Sequence, residues 1–197
     1  VVSKLTKGIE LLFKENGVDL IVGRGKVIAK DTVLVNGNDK IEGDRIVIAA
    51  GSLPADLPFL KPDGDRVINS NRALELANIP EKLLVVGAGA IGVEMAVIYQ
   101  YLGSTVTVVE LMDQIIPGSD AEVSDILKKE LGKQKIKIHT STTVSDPQKS
   151  DDGQSMTVSL KNDKKEWEES FSSILLAVGR KPNSQEIFDD SLNIRTD

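Results

Sequence analysis

LLVVGAGAIGVEMAVIYQYLGSTVTVVE, residues Leu83 to Glu110, decides how the rest of the chain is read. The apolar run KLLVVG predicts a buried strand. AIGVEMAVIYQYLG predicts a helix closed at Gly103. STVTVVE predicts a second strand, parallel to the first because the helix carries the chain back. Between strand and helix, Gly87, Gly89 and Gly92 make G-x-G-x-x-G. Gly87 turns the chain tightly off the strand, Gly89 lets the backbone approach a pyrophosphate, and Gly92 lets helix and sheet pack closely. The helix start offers free N–H groups and a positive dipole end to phosphates. Glu110 closes the second strand 18 residues after Gly92, near the interval of dinucleotide-binding units. Its carboxylate accepts from a ribose 2′-OH and repels a 2′-phosphate, so the pattern predicts NAD rather than NADP. The alternative, a tight strand-to-helix turn with no ligand, leaves the acid and the element order unexplained.

Composition narrows the remaining classes. The chain has 197 residues, 40% hydrophobic and 27% charged, which suits one or two globular domains. Net charge is −6, so no basic surplus exists to displace counterions from nucleic acid. No apolar run approaches the roughly 20 residues of a membrane span, and no secretory signal opens the chain. Cysteine is absent, which rules out a disulfide framework, a thiolate metal site or a dithiol redox centre within this chain. The reducing cytosol or a mitochondrial matrix is the expected compartment. The opening at Val1 and the closing SLNIRTD both read as cut ends.

Outward from the central stretch, the pattern is mixed α/β. Residues 3–16 predict an amphipathic helix through Leu5, Ile9, Leu12 and Phe13, stopped at Gly17. VDLIVGRGKVIA, DTVLVN and DRIVIAAG predict short strands, with a turn at NGNDKIEG. Pro54, Pro58 and Pro62 mark an irregular crossing, and a domain boundary is expected near residues 66–72. Asn71 to Leu76 predicts a short helix. DAEVSDILKKELGKQ predicts an amphipathic helix with Asp120 as N-cap. KIKIHTSTTV reads as one alternating strand, MTVSLKND and KEWEESF as a hairpin, and SILLAVG as a buried strand. The expected architecture is a Rossmann-like domain, an open parallel sheet plus a β-meander, over 69–180. Part of a second domain flanks it at 1–68 and 181–197. The 1–66 segment and the 181–197 tail are expected to be the most poorly packed.

Few other residues suggest chemistry. Glu94, two residues past Gly92, is read from spacing as an acid stabilising the helix start. His139 stands alone on an alternating strand and reads as a partly exposed strand residue. Trp167 reads as packing on the hairpin. The acids from Asp113 to Glu130 read as a solvated face.

Four stretches together resemble the pyridine nucleotide–disulfide oxidoreductases: IVIAAGSLPADLPFL, the Val85–Glu110 region, LMDQIIPGSDAEVSDILKKEL and ILLAVGRKPN. The run IPGSDAEV, Ile116 to Val123, resembles the dihydrolipoyl dehydrogenase branch more than glutathione or mercuric reductases, as does the opening KLTKGIELLFKENGVDLIVGRGKV. The resemblance covers essentially the whole chain. It implies that Gly87, Ala88, Gly89, Ala90, Ile91, Gly92, Val93 and Glu94 line an NAD site, with Glu94 near the nicotinamide. It implies that Glu110 holds the adenosine ribose, Val144 borders the adenine and Gly179 approaches the cofactor backbone. It implies that Gly25, Ala50, Gly51 and Ser52 touch FAD. The family usually has threonine where Ala50 stands, so one hydroxyl contact is lost.

The resemblance also implies activity and partners. Such an enzyme passes electrons from dihydrolipoamide, carried on a lipoyl domain of a 2-oxo acid dehydrogenase complex, through a cysteine pair and FAD to NAD⁺, as a homodimer. The cysteines, most of the FAD site and a His–Glu pair are expected outside this chain, which alone should be inactive. Alternatives are another FAD-dependent disulfide reductase or NADH oxidase, and a non-catalytic NAD-sensing or scaffold module.

Overall fold

The computed structural model describes residues 2–195. Contacts divide the chain into two units, Val1–Gly51 with Asn183–Asp197, and Ser52–Pro182. The sequence-based boundary near residues 66–72 differs from this division. Residues 52–68 pack within the second unit, because their strands pair with strands of that unit.

The first unit carries helix α1 (Val2–Glu15) and strands β1 (Gly25–Ala29), β2 (Thr32–Val35) and β3 (Asp39–Glu42). The strands form an antiparallel meander, in order β1-β2-β3. α1 has the expected amphipathic pattern but buries none of its residues. Among the described residues of this unit only Val27 and Val35 are buried hydrophobics. Two expectations are corrected here. DRIVIAAG forms no strand, and β3 instead comes from the segment read as a turn. VDLIV is likewise not a strand, and Val22 and Val47 stand largely exposed. Near-continuous apolar runs of this kind suit strands buried on both faces, and no described strand pairs with either.

The second unit contains β4 (Ser52–Pro54), β5 (Val67–Asn69), α2 (Ser70–Ala73), β6 (Lys82–Val86), α3 (Ala90–Tyr101), β7 (Thr105–Val109) and α4 (Ala121–Lys133). It continues with β8 (Lys137–His139), β9 (Thr143–Lys149), β10 (Met156–Lys161), β11 (Glu166–Phe171), β12 (Ser173–Leu176) and β13 (Arg180–Pro182). Five strands form a sheet in the order β5-β12-β6-β7-β8, and every neighbouring pair is parallel. The apolar runs in β6, β7 and β12 are continuous because both faces are covered. Leu83, Val85, Val106, Val108 and Leu175 join one core with Met95, Tyr99 and Leu131 of the helices. The alternate residues Leu84, Val86, Val109, Ile174 and Leu176 join a second core with Val158, Leu160 and Phe171 of the antiparallel strands. The strand period of two thus builds three layers: helices, parallel sheet, antiparallel sheet. Each fully buried aliphatic side chain contributes about 1.5–3 kcal/mol to this arrangement.

The antiparallel layer also corrects an expectation. KIKIHTSTTV is not one strand but two, β8 in the parallel sheet and β9 beside β10. Between them Ser141 takes φ 49°, which breaks the extended path. The expected hairpin β10–β11 is present and gains β9 as a third strand. Asp120 caps α4, its carboxylate accepting the Glu122 N–H at 2.9 Å.

Candidate dinucleotide site

The glycine loop joins β6 to α3, and geometry assigns each glycine a distinct constraint. Gly87 has φ 101°, and a Cβ there would lie 2.4 Å from the Ala177 carbonyl oxygen. A Cβ on Gly92 would lie 2.0 Å from the Gly87 carbonyl oxygen. Around Gly89 there is nothing within 4 Å of such a Cβ. Two glycines are therefore demanded by the protein's own packing, and the middle one faces open space. Gly89 is also the N-cap of α3, and no side chain caps this end. The first N–H groups of the helix are left for an external acceptor.

Glu110 lies one residue beyond β7 and is 8% exposed. Its carboxylate accepts the Ala88 N–H at 2.6 Å and the Met112 N–H at 2.9 Å. A carboxylate has about four acceptor positions, so capacity for hydroxyl donors remains. The backbone around it is fixed on both sides: the Glu110 N–H donates to the His139 carbonyl, and the Thr142 N–H donates to the Glu110 carbonyl.

Glu110, Gly87 and Gly89 line one cleft of about 620 Å³ together with Val144, Gly179 and Phe59. That volume lies in the range of small-molecule sites. A smaller hollow of about 190 Å³ shares Gly89 and Gly179 with it and extends over Ala90 and Ile91. Seven of the expected NAD positions, Gly87, Gly89, Ala90, Ile91, Glu110, Val144 and Gly179, thus line one or other of these two hollows. Ala88, Gly92 and Val93 are buried. Glu94 differs from the reading made by spacing. α3 starts at Ala90 and has no acid in its first turn, so Glu94 sits one residue too far along to act as a helix-start acid. It is exposed and lines neither hollow. Phe59 and Met112 line the cleft although nothing in their local pattern marks them. The Pro58-Phe59 step in an otherwise irregular segment is the one available signal.

The expected flavin positions lie elsewhere. Gly25, Ala50 and Gly51 are exposed positions of the first unit. The Asn183 side chain donates to the Ala50 carbonyl at 3.2 Å, and the Asn183 N–H donates to the Gly51 carbonyl at 3.0 Å. Ser52 belongs to the second unit, where its hydroxyl accepts from Arg180 Nε at 2.7 Å.

His139 is half-buried, with its ring 5.2 Å from that of Trp167 at an edge-on 63°. Burial lowers its pKa below the ordinary 6.5; Glu169 pulls the other way, and Lys165, Lys137 and Lys128 add to the lowering. Among the described residues no group of three or more His, Asp or Glu could hold a metal ion. No helix among them is long and apolar enough to cross a membrane.

Comparison with known proteins bears on the family and the fold. The family model for pyridine nucleotide-disulphide oxidoreductases matches residues 1–197. The chain is 42% identical over 201 residues to a dihydrolipoamide dehydrogenase of Chaetomium thermophilum, covering 100% of this chain and 40% of that protein. It is 36% identical over 201 residues to the dihydrolipoyl dehydrogenase of Vibrio parahaemolyticus, covering 100% of this chain and 42% of that protein. The chain therefore spans about two fifths of the length of these relatives. The crystal structure of LpdA from Mycobacterium tuberculosis superposes with a TM-score of 0.77 at 24% identity, over 94% of this chain and 41% of that one. That likeness shows the fold alone. The match over the full length, on a fold whose glycine loop and acid lie along one cleft, makes the chain a member of the pyridine nucleotide-disulphide oxidoreductase family.

Proposed function

We propose that this chain is the nucleotide-docking part of a dihydrolipoyl dehydrogenase, with residues 52–182 holding NAD. The observation that carries the reading is the open face of Gly89 at an uncapped helix start, on the same cleft as Glu110. The pyrophosphate crosses Gly89 and takes the free N–H groups of α3. The adenosine ribose lies against Glu110, and the adenine reaches Val144. The nicotinamide end extends along the smaller hollow past Ala90 and Ile91, with Gly179 beside the path. On the family reading Glu94, exposed and outside the lining of either hollow, is the acid that a bound nicotinamide would approach.

NAD is favoured over NADP by charge. The cleft lining holds the carboxylates Glu110 and Asp56 and, among the described residues, no lysine or arginine. A 2′-phosphate would meet repulsion with no cation to offset it.

In the whole enzyme, two electrons and two protons leave dihydrolipoamide as its two thiols become a disulfide. NAD⁺ takes up a hydride, and one proton is released. This chain has no cysteine, so the thiol exchange is assigned to sequence outside it. Flavin supplies the relay between thiol and pyridine chemistry when bound. Gly25, Ala50, Gly51 and Ser52 are the flavin-contacting positions on this reading, and flavin belongs to the whole enzyme. The dihydrolipoamide on a lipoyl domain, the 2-oxo acid dehydrogenase complex, the homodimer and a bacterial-cytoplasmic or mitochondrial-matrix setting come from the family resemblance and belong to the same proposal; two relatives named mitochondrial support the matrix setting.

Calorimetric titration of the chain with NADH, and with NADPH in parallel, tests it. Tighter NADH binding, with the preference lost in Glu110→Ala, is the expected result. Equal binding of both would remove Glu110 as selector, and binding of neither would remove the dock.

A further inference from the structure

We infer that Phe59 is the aromatic wall on which the adenine base stacks; this rests on the dinucleotide reading of the cleft. Phe59 belongs to a turn, Leu57-Pro58-Phe59-Leu60, whose Leu60 N–H donates to the Leu57 carbonyl at 3.2 Å. Pro58 stands at the second turn position, where its fixed φ suits the bend. Leu60 is 3% exposed, and half-buried Leu57 packs against the same core while also lining the cleft. Just ahead of the turn, the Ala55 N–H donates to the Gly179 carbonyl at 2.9 Å, which ties the segment to another residue of the cleft. The turn is therefore anchored before and after Phe59.

Phe59 itself is 50% exposed and lines the cleft that contains Glu110 and Val144. Folding has placed an aromatic ring on a tethered turn without using it to fill the core. An exposed aromatic ring loses apolar burial that a flat ligand can restore. Val144 and Met112, both apolar, line the same cleft. A purine is flat, has two π faces and is linked to the ribose that Glu110 would hold. Stacking on an aromatic ring suits it without requiring specific hydrogen bonds. The segment that reads in sequence as a mere crossing thus supplies part of the cofactor's affinity.

The test compares ADP-ribose and NADH binding to the chain and to its Phe59→Ala and Phe59→Trp variants. Phe59→Ala is expected to weaken both ligands roughly ten-fold, within the range of base–aromatic stacking, and Phe59→Trp to bind about as well as the original. In a Trp167→Phe background, the Phe59→Trp indole is the sole tryptophan, and ADP-ribose should quench its emission. Phe59→Ala binding ADP-ribose as tightly as the original, or an unquenched indole in the presence of bound ADP-ribose, would overturn the inference. If the original chain binds neither ligand, the dock itself fails and this inference falls with it.

Discussion

The Glu110 carboxylate accepts the backbone N–H of Ala88 at 2.6 Å. The acid read as a cofactor selector therefore also braces the glycine loop. Its two duties separate by measurement. Glu110→Ala leaves the Ala88 and Met112 N–H groups without their acceptor, at a cost of about 1–3 kcal/mol for a buried donor. Its unfolding free energy in urea should fall by that amount with no ligand present. Unchanged stability would show that the brace is not significant.

The three glycines should respond unequally to alanine. Gly92→Ala drives a Cβ into the Gly87 carbonyl at 2.0 Å, so the loop must shift or the unit unfold. A loss of several °C in melting temperature is expected, in line with overpacking costs of about 1–3 kcal/mol. Gly89→Ala meets nothing in the free protein and adds a methyl where the pyrophosphate would pass. Its melting temperature should stay near the original while NADH binding is lost. Wild-type affinity in Gly89→Ala would argue against the assigned path.

His139 makes stability depend on pH in a defined window. Its pKa is lowered by folding, first by burial, so the unfolded chain binds the proton more tightly. Stability should be full above about 6.5 and decline as pH falls through the interval between that value and the lowered one. No other histidine titrates there. Denaturant titrations at several pH values should show this slope, and His139→Gln should flatten it. An identical slope in the variant would assign the effect to other groups. Protonation should also alter Trp167 emission, since the two rings are 5.2 Å apart.

Thr107 is fully buried in β7, and its hydroxyl finds no partner among the described residues. A buried unpaired hydroxyl is unfavourable. Thr107→Val, of similar shape, should raise unfolding free energy by about 1 kcal/mol. A marked loss on calorimetric melting would reveal a hidden hydrogen bond.

The central unit was legible because its signals are local. Leu83 to Glu110 carries strand, glycine loop, helix and acid in one continuous stretch, and each lies where its pattern predicts. The outlying strands were not legible from pattern alone. DRIVIAAG has the composition of a buried strand, yet composition cannot specify whether a partner is present, and here none pairs with it. KIKIHTSTTV alternates without interruption, but Ser141 turns in a left-handed conformation that only tertiary context imposes. The cleft was half legible. Glu110 and the glycines announce themselves by spacing, Met112 follows Glu110 by two residues, and Phe59 reaches the cleft from a segment distant in sequence, which leaves no periodic trace.

The short ladder between β4 and β13 has a wider consequence. Ser52 pairs with Pro182, so the second unit begins and ends at adjacent points. Within the first unit, the Asn183 N–H donates to the Gly51 carbonyl across the gap left by the excursion. Topologically, everything from Ser52 to Pro182 is a cassette with its two leads clamped together. Such a cassette can diverge, be exchanged or be excised with little demand on the chain that receives it.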